Sequence, residues 1–295
     1  MIELRCVISA DSAQPLEDFF CELARSPWMI YNERPSEPCF LVGYFDSAEE
    51  ATDAWADLRK VFAALPETPA FHPLADCDWK EAYKAHLHPW SHGRLHWVPE
   101  WRRADYAVGR GDAVVYFDAG LAFGTGDHPT TRLCALRLLD FLAAGKDPAS
   151  VSVIDAGCGS GILALSAAKL GCATVRGFDR DAEAVRVSLE NRAANGLEPS
   201  AAVFVHAGIE DGLRGVAPAD VVLANIISDV LCIYADNLLA AVAPGGVLAL
   251  GGILVREQAA VRELFEVRAR AKWGGVGVDV RVMGEWGDLA LFRPV

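Results

Sequence analysis

The segment VIDAGCGSG, residues 153–161, places three glycines at alternate positions directly after a short apolar run. Glycine has no Cβ, so the backbone N–H groups of such a loop can approach a ligand closely, and the apolar residues that follow predict a helix beside it. Asp179 lies 22 residues after Gly157, at the end of the next strand-like stretch. A carboxylate at that place can accept hydrogen bonds from both hydroxyls of a ribose. The two features together predict a site for a cofactor that contains a nucleoside.

Two cofactors fit a glycine loop followed by an acid: a nicotinamide dinucleotide and S-adenosylmethionine. The dinucleotide loop has the spacing G-x-G-x-x-G and holds a pyrophosphate. Here the spacing is G-x-G-x-G, and the carboxylate of Asp155 comes just before it. A carboxylate repels pyrophosphate but suits a cofactor that carries an ammonium and a sulfonium, so the loop favours S-adenosylmethionine. A tight turn without any ligand is the remaining alternative.

A second glycine-rich segment, AGLAFGTGDHPTTRLC of residues 119–134, lies just before this loop. Its proline fits a first helical turn, so we expect a helix that begins near the two threonines and packs over the nucleotide cleft. The residues before it would form a lid with hinges at Gly124 and Gly126, and Thr131 would offer its hydroxyl to the cofactor. The alternative is a plain helix start that Asp127 or a threonine caps.

The segment DVVLAN, residues 220–225, ends another apolar run with an amide side chain. Ligands bind at the carboxyl ends of strands in an α/β sheet, so Asn225 is the candidate catalytic residue, with its amide oxygen facing a methyl-accepting amine. The alternative is an Asn that ends the strand and begins a turn. His128 is a candidate general base by its proximity in the lid segment, but no residue of the sequence is a compelling general base.

Strand-like and helical patterns alternate from residue 151 to the end of the chain. This alternation predicts an α/β fold with a mostly parallel sheet and helices on both faces. The last two strand-like runs, VGVDVRVM and LALFRPV, have no helix between them and should pair as an antiparallel hairpin. The expected helices cover residues 162–170, 182–195, 228–242 and 256–270.

Residues 1–70 show a different order of patterns. A strand, a helix, two strands and a second helix follow one another, and a last strand is expected near Phe71, which predicts a small split βαβ domain. Residues 1–75 carry five basic and thirteen acidic side chains, so a net charge of −8 out of −13 lies in this part of the chain. A basic partner would suit this charge through long-range attraction, and the alternative is that the acidity serves solubility alone.

Residues 71–118 are expected to be a linker and connecting segment, because three prolines in LPETPAFHPLAD precede a Trp-rich stretch. That stretch also contains four histidines, at positions 86, 88, 92 and 96. A proline and a glycine interrupt their helical spacing, so a packed connector is a better interpretation than a metal site.

The composition limits the class of protein. With 52% hydrophobic and 23% charged residues the chain is typical of a soluble globular protein, and its acidity argues against direct binding of nucleic acid. The first residues lack a basic region before an apolar core, and no run of about 18 apolar residues occurs, so we expect neither a signal peptide nor a membrane span. Eight scattered cysteines without a C-x-x-C pair indicate reduced thiols and a cytoplasmic protein.

Several of these segments resemble the bacterial ribosomal protein L11 methyltransferases. The resemblance covers residues 78–295 and rests on DWKEAYKAHLHPWSHGRLHWVPEW, GLAFGTGDHPTTRLC, VIDAGCGSGILALSAAKLG, FDRDAEAV, DVVLANI and GGILVRE, with GEW near the end. The AFGTG-x-HPTT part is highly specific, since general methyltransferases lack it. The Asn-Pro-Pro-Tyr motif of DNA-adenine and glutamine methyltransferases is absent.

The resemblance implies the fold and the site. It implies a class I S-adenosylmethionine-dependent methyltransferase domain in residues 119–295, with a Rossmann-like seven-stranded sheet and a C-terminal antiparallel hairpin, and a ferredoxin-like domain in residues 1–70 that grips the substrate. The cofactor-binding residues that it implies, together with two we add from the same segments, are Thr131, Gly157, Asp179, Asn225, Gly159 and Phe123.

The resemblance also implies a protein-lysine N-methyltransferase that acts on lysine ε-amines, and on the N-terminal amine as a further acceptor, of ribosomal protein L11, a basic protein. It implies no metal, and we expect a monomer without membrane contact. Two alternatives stay open. One is a related lysine methyltransferase that acts on another protein, such as an electron-transfer flavoprotein subunit, and the other is a non-catalytic assembly factor with a cofactor fold.

Overall fold

The computed structural model describes residues 2–9, 12–13, 15–16, 19–20, 27–31, 39–73, 87–118, 126 and 128–295. The chain divides into two compact units, Met1–His86 and Leu87–Val295. None of the helices in the described residues is long and apolar enough to cross a membrane.

An antiparallel four-stranded sheet forms the first unit. Its strands are β1 (Ile2–Ile8), β2 (Trp28–Tyr31), β3 (Cys39–Phe45) and β4 (Ala70–Pro73). They lie in the order β2-β3-β1-β4. Helix α1 (Ala48–Val61) follows β3, and the side chain of its cap, Ser47, accepts a hydrogen bond from the N–H of Glu50. With helical residues also between β1 and β2, this order confirms the split βαβ prediction.

The apolar core of the first unit lies on one face of this sheet. Alternate residues of β1, among them Leu4 and Cys6, are buried there against Trp55 of α1. The expected domain end at residue 70 falls at the start of β4, which pairs with β1. The sheet therefore extends to Pro73.

Seven strands form the main sheet of the second unit. They are β8 (Ser152–Ala156), β9 (Thr174–Asp179), β10 (Val203–His206), β11 (Ala219–Asn225), β12 (Val242–Leu254), β13 (Gly277–Met283) and β14 (Trp286–Phe292). Their order is β10-β9-β8-β11-β12-β14-β13. The first five pair in parallel, and β14 is antiparallel to both β12 and β13. The parallel sheet and the closing hairpin are both confirmed.

Helices cover both faces of this sheet. They are α2 (Pro129–Ala143), α3 (Ile162–Lys169), α4 (Ala182–Ala194), α5 (Ile209–Leu213), α6 (Ser228–Ile233), α7 (Ala235–Ala240) and α8 (Val255–Trp273). One apolar core packs α5 to α8 against the sheet, and α2 to α4 contact the same strands from the other side. The central strands are therefore buried on both faces, as parallel strands are.

The prediction of a single helix over residues 228–242 was wrong. The chain instead forms α6 and α7, which meet at Tyr234, and β12 begins at Val242. Leu231 and Leu238, one on each side of the break, are both fully buried in one core. Because apolar residues on both sides of the break face this core, the apolar pattern of the sequence continues across the break and does not reveal where the first helix ends.

A three-stranded sheet opens the second unit. Its strands are β5 (Trp90–His92), β6 (Leu95–Pro99) and β7 (Ala113–Phe117). Strands β5 and β6 are antiparallel, and β6 and β7 are parallel. The buried indole N–H of Trp97 donates to the hydroxyl of Ser166 in α3 at 2.7 Å. Part of the expected connector is thus a folded part of the second unit, and the signal for it was the apolar run AVVYF, whose residue types favour strands.

Candidate active site

The carboxyl ends of β8 and β11 lie side by side near the centre of the seven-stranded sheet, because these two strands are paired. The strand order reverses at this point, since β9 and β10 continue on one side and β12 on the other. Open α/β sheets bind ligands at such a reversal. Four predicted site residues lie at or just after the carboxyl ends of β8, β9 and β11, namely Gly157, Gly159, Asp179 and Asn225.

The loop after β8 turns through three glycines in the left-handed conformation. Their φ angles are 73°, 53° and 80° at Gly157, Gly159 and Gly161, values that L side chains rarely adopt. The N–H of Gly157 donates to the carbonyl of Phe178 at 2.9 Å, which ties the loop to β9. A Cβ at Gly157 would lie 2.9 Å from the side chain of Ile226. Glycine at this position therefore keeps the loop close to the strand ends.

Asp155 lies just before this loop and is 1% exposed. Its Oδ2 accepts the N–H of Ala164 at 3.0 Å, whereas its Oδ1 has no hydrogen-bond partner among the described residues. Burial raises the pKa of this carboxyl to about 7, the hydrogen bond from Ala164 opposes the rise, and the charge of Asp179 adds to it. An unsatisfied buried oxygen costs about 1–3 kcal/mol, which a polar ligand would offset.

Asp179 ends β9 beside the glycine loop and is half-buried. Its Oδ2 accepts the N–H of Gly159 at 2.9 Å, and its Oδ1 accepts the N–H of Asp181 at 3.0 Å. These two bonds fix the orientation of the carboxylate, while each oxygen keeps a second lone pair. The carboxylate can therefore accept further hydrogen bonds from a ligand at the loop.

On the other side of the reversal, the first turn of α2 meets the end of β11. The amide nitrogen of Asn225 donates to the hydroxyl of Thr131 at 3.2 Å. Its amide oxygen is buried and has no partner within the described part of the chain. Gly251 of β12 is the register partner of Asn225, and a Cβ there would lie 2.9 Å from this oxygen. Thr131 therefore fixes the amide nitrogen of Asn225, while the amide oxygen makes no hydrogen bond within the described residues.

His128 caps helix α2. Its Nδ1 accepts a hydrogen bond from the N–H of Thr130 at 3.4 Å and lies 2.7 Å from the hydroxyl of the same residue. The expected caps were a threonine or Asp127; an imidazole caps the helix in place of a threonine, and Asp127 lies outside the described residues. The ring of His128 packs edge-on against Trp286 at the start of β14, with centroids 4.8 Å apart.

Trp286 was not assigned to the site from the sequence. The one sequence feature that could have indicated it is the segment GEW, residues 284–286, which forms part of the resemblance. It reaches this edge because β14 runs antiparallel to β12 and pairs Trp286 with Leu254. A strand that begins where its neighbour ends brings residues far apart in the sequence to the same edge of the sheet.

The expected lid is described only in part. Gly126 is buried with φ 74°, and a Cβ on it would lie 3.0 Å from the side chains of both Trp97 and Ile162. Its position is therefore closely packed, and its role as a hinge stays a prediction. The other proposed hinge, Gly124, and the candidate cofactor-binding residue Phe123 lie outside the described residues.

Two histidines of the Trp-rich stretch, His92 and His96, make contacts of other kinds, and His86 lies outside the described residues. The Nδ1 of His96 lies 2.8 Å from the hydroxyl of Tyr106, and its Nε2 lies 3.3 Å from the carboxylate of Asp112. The ring of His92 stacks on Trp90. Within the described ranges, no three His, Cys, Asp or Glu side chains are grouped to hold a metal ion.

Comparison with known proteins gives consistent matches. The family model described as ribosomal protein L11 methyltransferase (PrmA) matches residues 17–289. The ribosomal protein L11 methyltransferase of Azotobacter vinelandii is 35% identical over 281 residues, covering 90% of this chain and 91% of the relative. That of Geobacter metallireducens is 36% identical over 308 residues, covering 97% and 96%.

A solved structure matches as well. The crystal structure of ribosomal protein L11 methylase from Lactobacillus delbrueckii subsp. bulgaricus is 28% identical, with a TM-score of 0.58. The match covers 70% of this chain and 100% of that chain. Because the family model spans most of the sequence, the resemblance seen in the motifs is confirmed, and this chain belongs to the ribosomal protein L11 methyltransferase family.

Proposed function

We propose that this protein transfers methyl groups from S-adenosylmethionine to lysine ε-amines of ribosomal protein L11, with the N-terminal amine as a further acceptor. The observation that carries the proposal is the convergence of the glycine loop, Asp179 and the Thr131–Asn225 pair at the reversal of strand order. Membership of a methyltransferase family supports the reaction class.

The residues at the strand ends fit S-adenosylmethionine. The glycine loop places backbone without side chains at the end of β8, and the carboxylate of Asp179 has lone pairs free for ribose hydroxyls. The unpartnered oxygen of Asp155 suits the positive charges of this cofactor and would repel a pyrophosphate. The proposed contacts are Thr131, Gly157, Gly159, Asp179 and Asn225, with Phe123 as a further one beyond the described residues.

The bound cofactor would supply a methyl group on a sulfonium: a neutral amine would attack the methyl carbon in line, the C–S bond would break, and the sulfur would leave as a neutral thioether. The protein contributes position and electrostatics. Thr131 holds the amide nitrogen of Asn225, so the amide oxygen is fixed as an acceptor for an amine N–H. Accepting that N–H orients the nitrogen lone pair toward the methyl group.

The acceptor amine must lose its proton before transfer. For a free lysine with a pKa of ~10.4 this costs roughly 4.6 kcal/mol at pH 7. Removal from water and a nearby positive sulfonium both lower the pKa of the amine. The exposed apolar side chains of Ile227 and Val255, which follow β11 and β12 at the same edge, would cover the aliphatic part of a lysine.

The acidic first quarter of the chain supports a basic protein substrate. Its net charge of −8 would attract a lysine-rich protein and speed the encounter. Methylation of L11 at limiting substrate should therefore slow as salt rises from low to physiological concentration, because exposed charges are screened over about 8–10 Å. A rate that salt leaves unchanged would assign this acidity to solubility alone.

Neither alternative is favoured by what is observed. The two relatives described above are named as L11 methyltransferases, which disfavours a flavoprotein subunit as the substrate. A non-catalytic assembly factor would not need to keep the glycine loop, Asp179 and Asn225 together at one edge.

Mass spectrometry of purified L11 tests the proposal. The full-length protein with S-adenosylmethionine should add mass increments of one methyl group each, and Asn225→Ala should slow transfer about 10–100-fold, the worth of a hydrogen bond to a group that becomes charged. An electron-transfer flavoprotein subunit serves as the control substrate. Transfer to that subunit and not to L11 would contradict the substrate, and cofactor binding without transfer to either would favour the assembly factor.

A further inference from the structure

Helix α4 buries polar side chains along one line of its surface. Ser188 and Asn191 in the helix, and Asn195, which caps its C-terminal end, follow one another at helical spacing and are 0%, 3% and 6% exposed. Burial of an amide is unfavourable unless its hydrogen bonds are made. The partners of these two asparagines therefore show what the helix holds in place.

The two asparagines act as hydrogen-bonding partners for the backbone at the end of β7. The Oδ1 of Asn195 accepts the N–H of Tyr116 at 2.9 Å, and its Nδ2 donates to the carbonyl of Tyr116. Asn191 makes the same pair of bonds with Asp118, at 2.9 and 3.0 Å. Each amide thus pairs with a residue of the chain in the manner of a neighbouring strand.

The spacing of the two asparagines explains why both can do this. Four helical residues rise by about 6 Å, and two strand residues advance by about 6.6 Å. Asn191 and Asn195 are four residues apart on the helix, and Asp118 and Tyr116 are two apart on the extended chain. The backbone N–H and C=O groups of alternate strand residues face the same side. The amide of Asn195 therefore lies opposite the backbone of Tyr116, and that of Asn191 opposite the backbone of Asp118.

The second donor of each amide distinguishes the two asparagines. The Nδ2 of Asn195 also donates to the carbonyl of Asn191 within its own helix at 2.8 Å. The Nδ2 of Asn191 instead donates to the carbonyl of Ser160 at 2.9 Å. Ser160 lies in the glycine loop, and a Cβ on the next residue, Gly161, would lie 2.9 Å from the Cβ of Ser188. Asn191 therefore links the glycine loop to the end of β7.

We propose that Asn191 is a positioning residue for the methyl donor, because it sets the distance between the glycine loop and β7 through the carbonyl of Ser160. The three glycines have no side chains with which to fix the loop, and their left-handed conformations depend on contacts from outside. The inference rests on the proposed function, since the consequence is a change in affinity for S-adenosylmethionine.

Asn195 provides a matched control on the same helix. Asn191→Ala and Asn195→Ala each remove two bonds to the backbone of the β7 end, so both should lower the melting temperature. The dissociation constant for S-adenosylmethionine, measured by calorimetry on the full-length protein, should rise about tenfold for Asn191→Ala and stay within about twofold of wild type for Asn195→Ala. With L11 as substrate, the rise should appear in KM for S-adenosylmethionine more than in kcat.

A second measurement needs no ligand. Hydrogen exchange of the backbone amides of residues 157–161 should speed up in Asn191→Ala and not in Asn195→Ala. If Asn191→Ala does not fold, Asn191→Ser, whose hydroxyl is too short to reach both partners, replaces it in both experiments.

The two measurements separate this inference from the proposed function. Equal affinities in the Asn191 and Asn195 variants, or exchange in the loop that does not differ between them, would overturn the role of Asn191 and leave the function standing. A wild-type protein that binds no S-adenosylmethionine would overturn the function, and the exchange experiment would still decide whether Asn191 holds the loop.

Discussion

Two groups of buried polar side chains lie against helix α2, and they differ in how completely their hydrogen bonds are made. Near the start of the helix, Asn225 and Asp155 each keep a buried oxygen without a partner among the described residues. Farther along, Arg137 is 3% exposed and donates from Nε and Nη2 to the two carboxylate oxygens of Asp288, each at 2.7 Å. It also pairs with Asp279.

The difference separates a structural role from a ligand-binding one. The paired guanidinium fastens α2 to the hairpin of β13 and β14, and its charge is balanced within the protein. The open oxygens at the strand ends are unfavourable for folding by themselves. Because these two unsatisfied oxygens lie together at the carboxyl ends of paired strands, they point to a binding or catalytic site.

The largest expected effect is on the paired cluster. Arg137→Ala leaves Asp288 buried without its partner, so the free energy of unfolding should fall by about 3–5 kcal/mol in urea denaturation. The double variant Arg137→Met/Asp288→Leu should lose less, because the only carboxylate that loses its partner, that of Asp279, is 53% exposed and no buried charge is left uncompensated. Affinity for S-adenosylmethionine should change little in either protein where it is folded. A large loss of affinity without a loss of stability would place this cluster in the binding site.

The next effect is a pH dependence from Asp155. Its folded pKa of about 7 lies above the ordinary value of 3.8, so the folded protein binds more protons than the unfolded chain between these values. Its contribution to stability is therefore complete below about pH 4 and is lost as pH rises to about 7, by up to about 4 kcal/mol.

Asp155→Asn should flatten this dependence, because the amide does not ionise. The denaturation midpoint of the variant should therefore rise relative to that of the wild type as pH increases from acidic to neutral values. Binding of S-adenosylmethionine should tighten with the same rise in pH in the wild type, since an ionised carboxylate attracts its positive charges, and should not do so in the variant. Parallel pH profiles of the two proteins would contradict the raised pKa.

A smaller effect is expected at the ribose position. Asp179→Ala removes the acceptor beside the glycine loop, so binding of S-adenosylmethionine should weaken by about 1.5–3 kcal/mol, the worth of hydrogen bonds to a charged group. Asp179→Asn, which keeps one acceptor oxygen, should lose less. Calorimetry on folded variants checks both, and unchanged affinity would remove Asp179 from the site.

The smallest effect is expected for an exposed ion pair of the same two residue types. Arg281 Nη2 lies 2.6 Å from Asp140 Oδ2, and the two side chains are 36% and 55% exposed. Asp140→Ala should lower the free energy of unfolding by about 0–1 kcal/mol, and less at high salt. A loss as large as that of Arg137→Ala would mean that burial does not set the strength of these pairs.

The position of the glycine loop, Asp179 and Asn225 at one edge of the sheet could be predicted from the sequence because the signals for it are local. Each follows an apolar run directly, and the alternation of strands and helices places the ends of parallel strands at one edge. The order of elements followed from the same periodicities, except for the three-stranded sheet of β5 to β7 and the break between α6 and α7. These features need no knowledge of which distant segments meet.

Only the tertiary structure decided which polar groups are satisfied. The partner of Arg137 is 151 residues away, and the carbonyl that Asn191 holds belongs to a different element of the fold. The break at Tyr234 and the place of Trp286 beside His128 are of the same kind. A local pattern shows which face of an element is apolar, but hydrogen bonds between distant segments depend on how whole elements pack, and that geometry is absent from any single stretch of sequence.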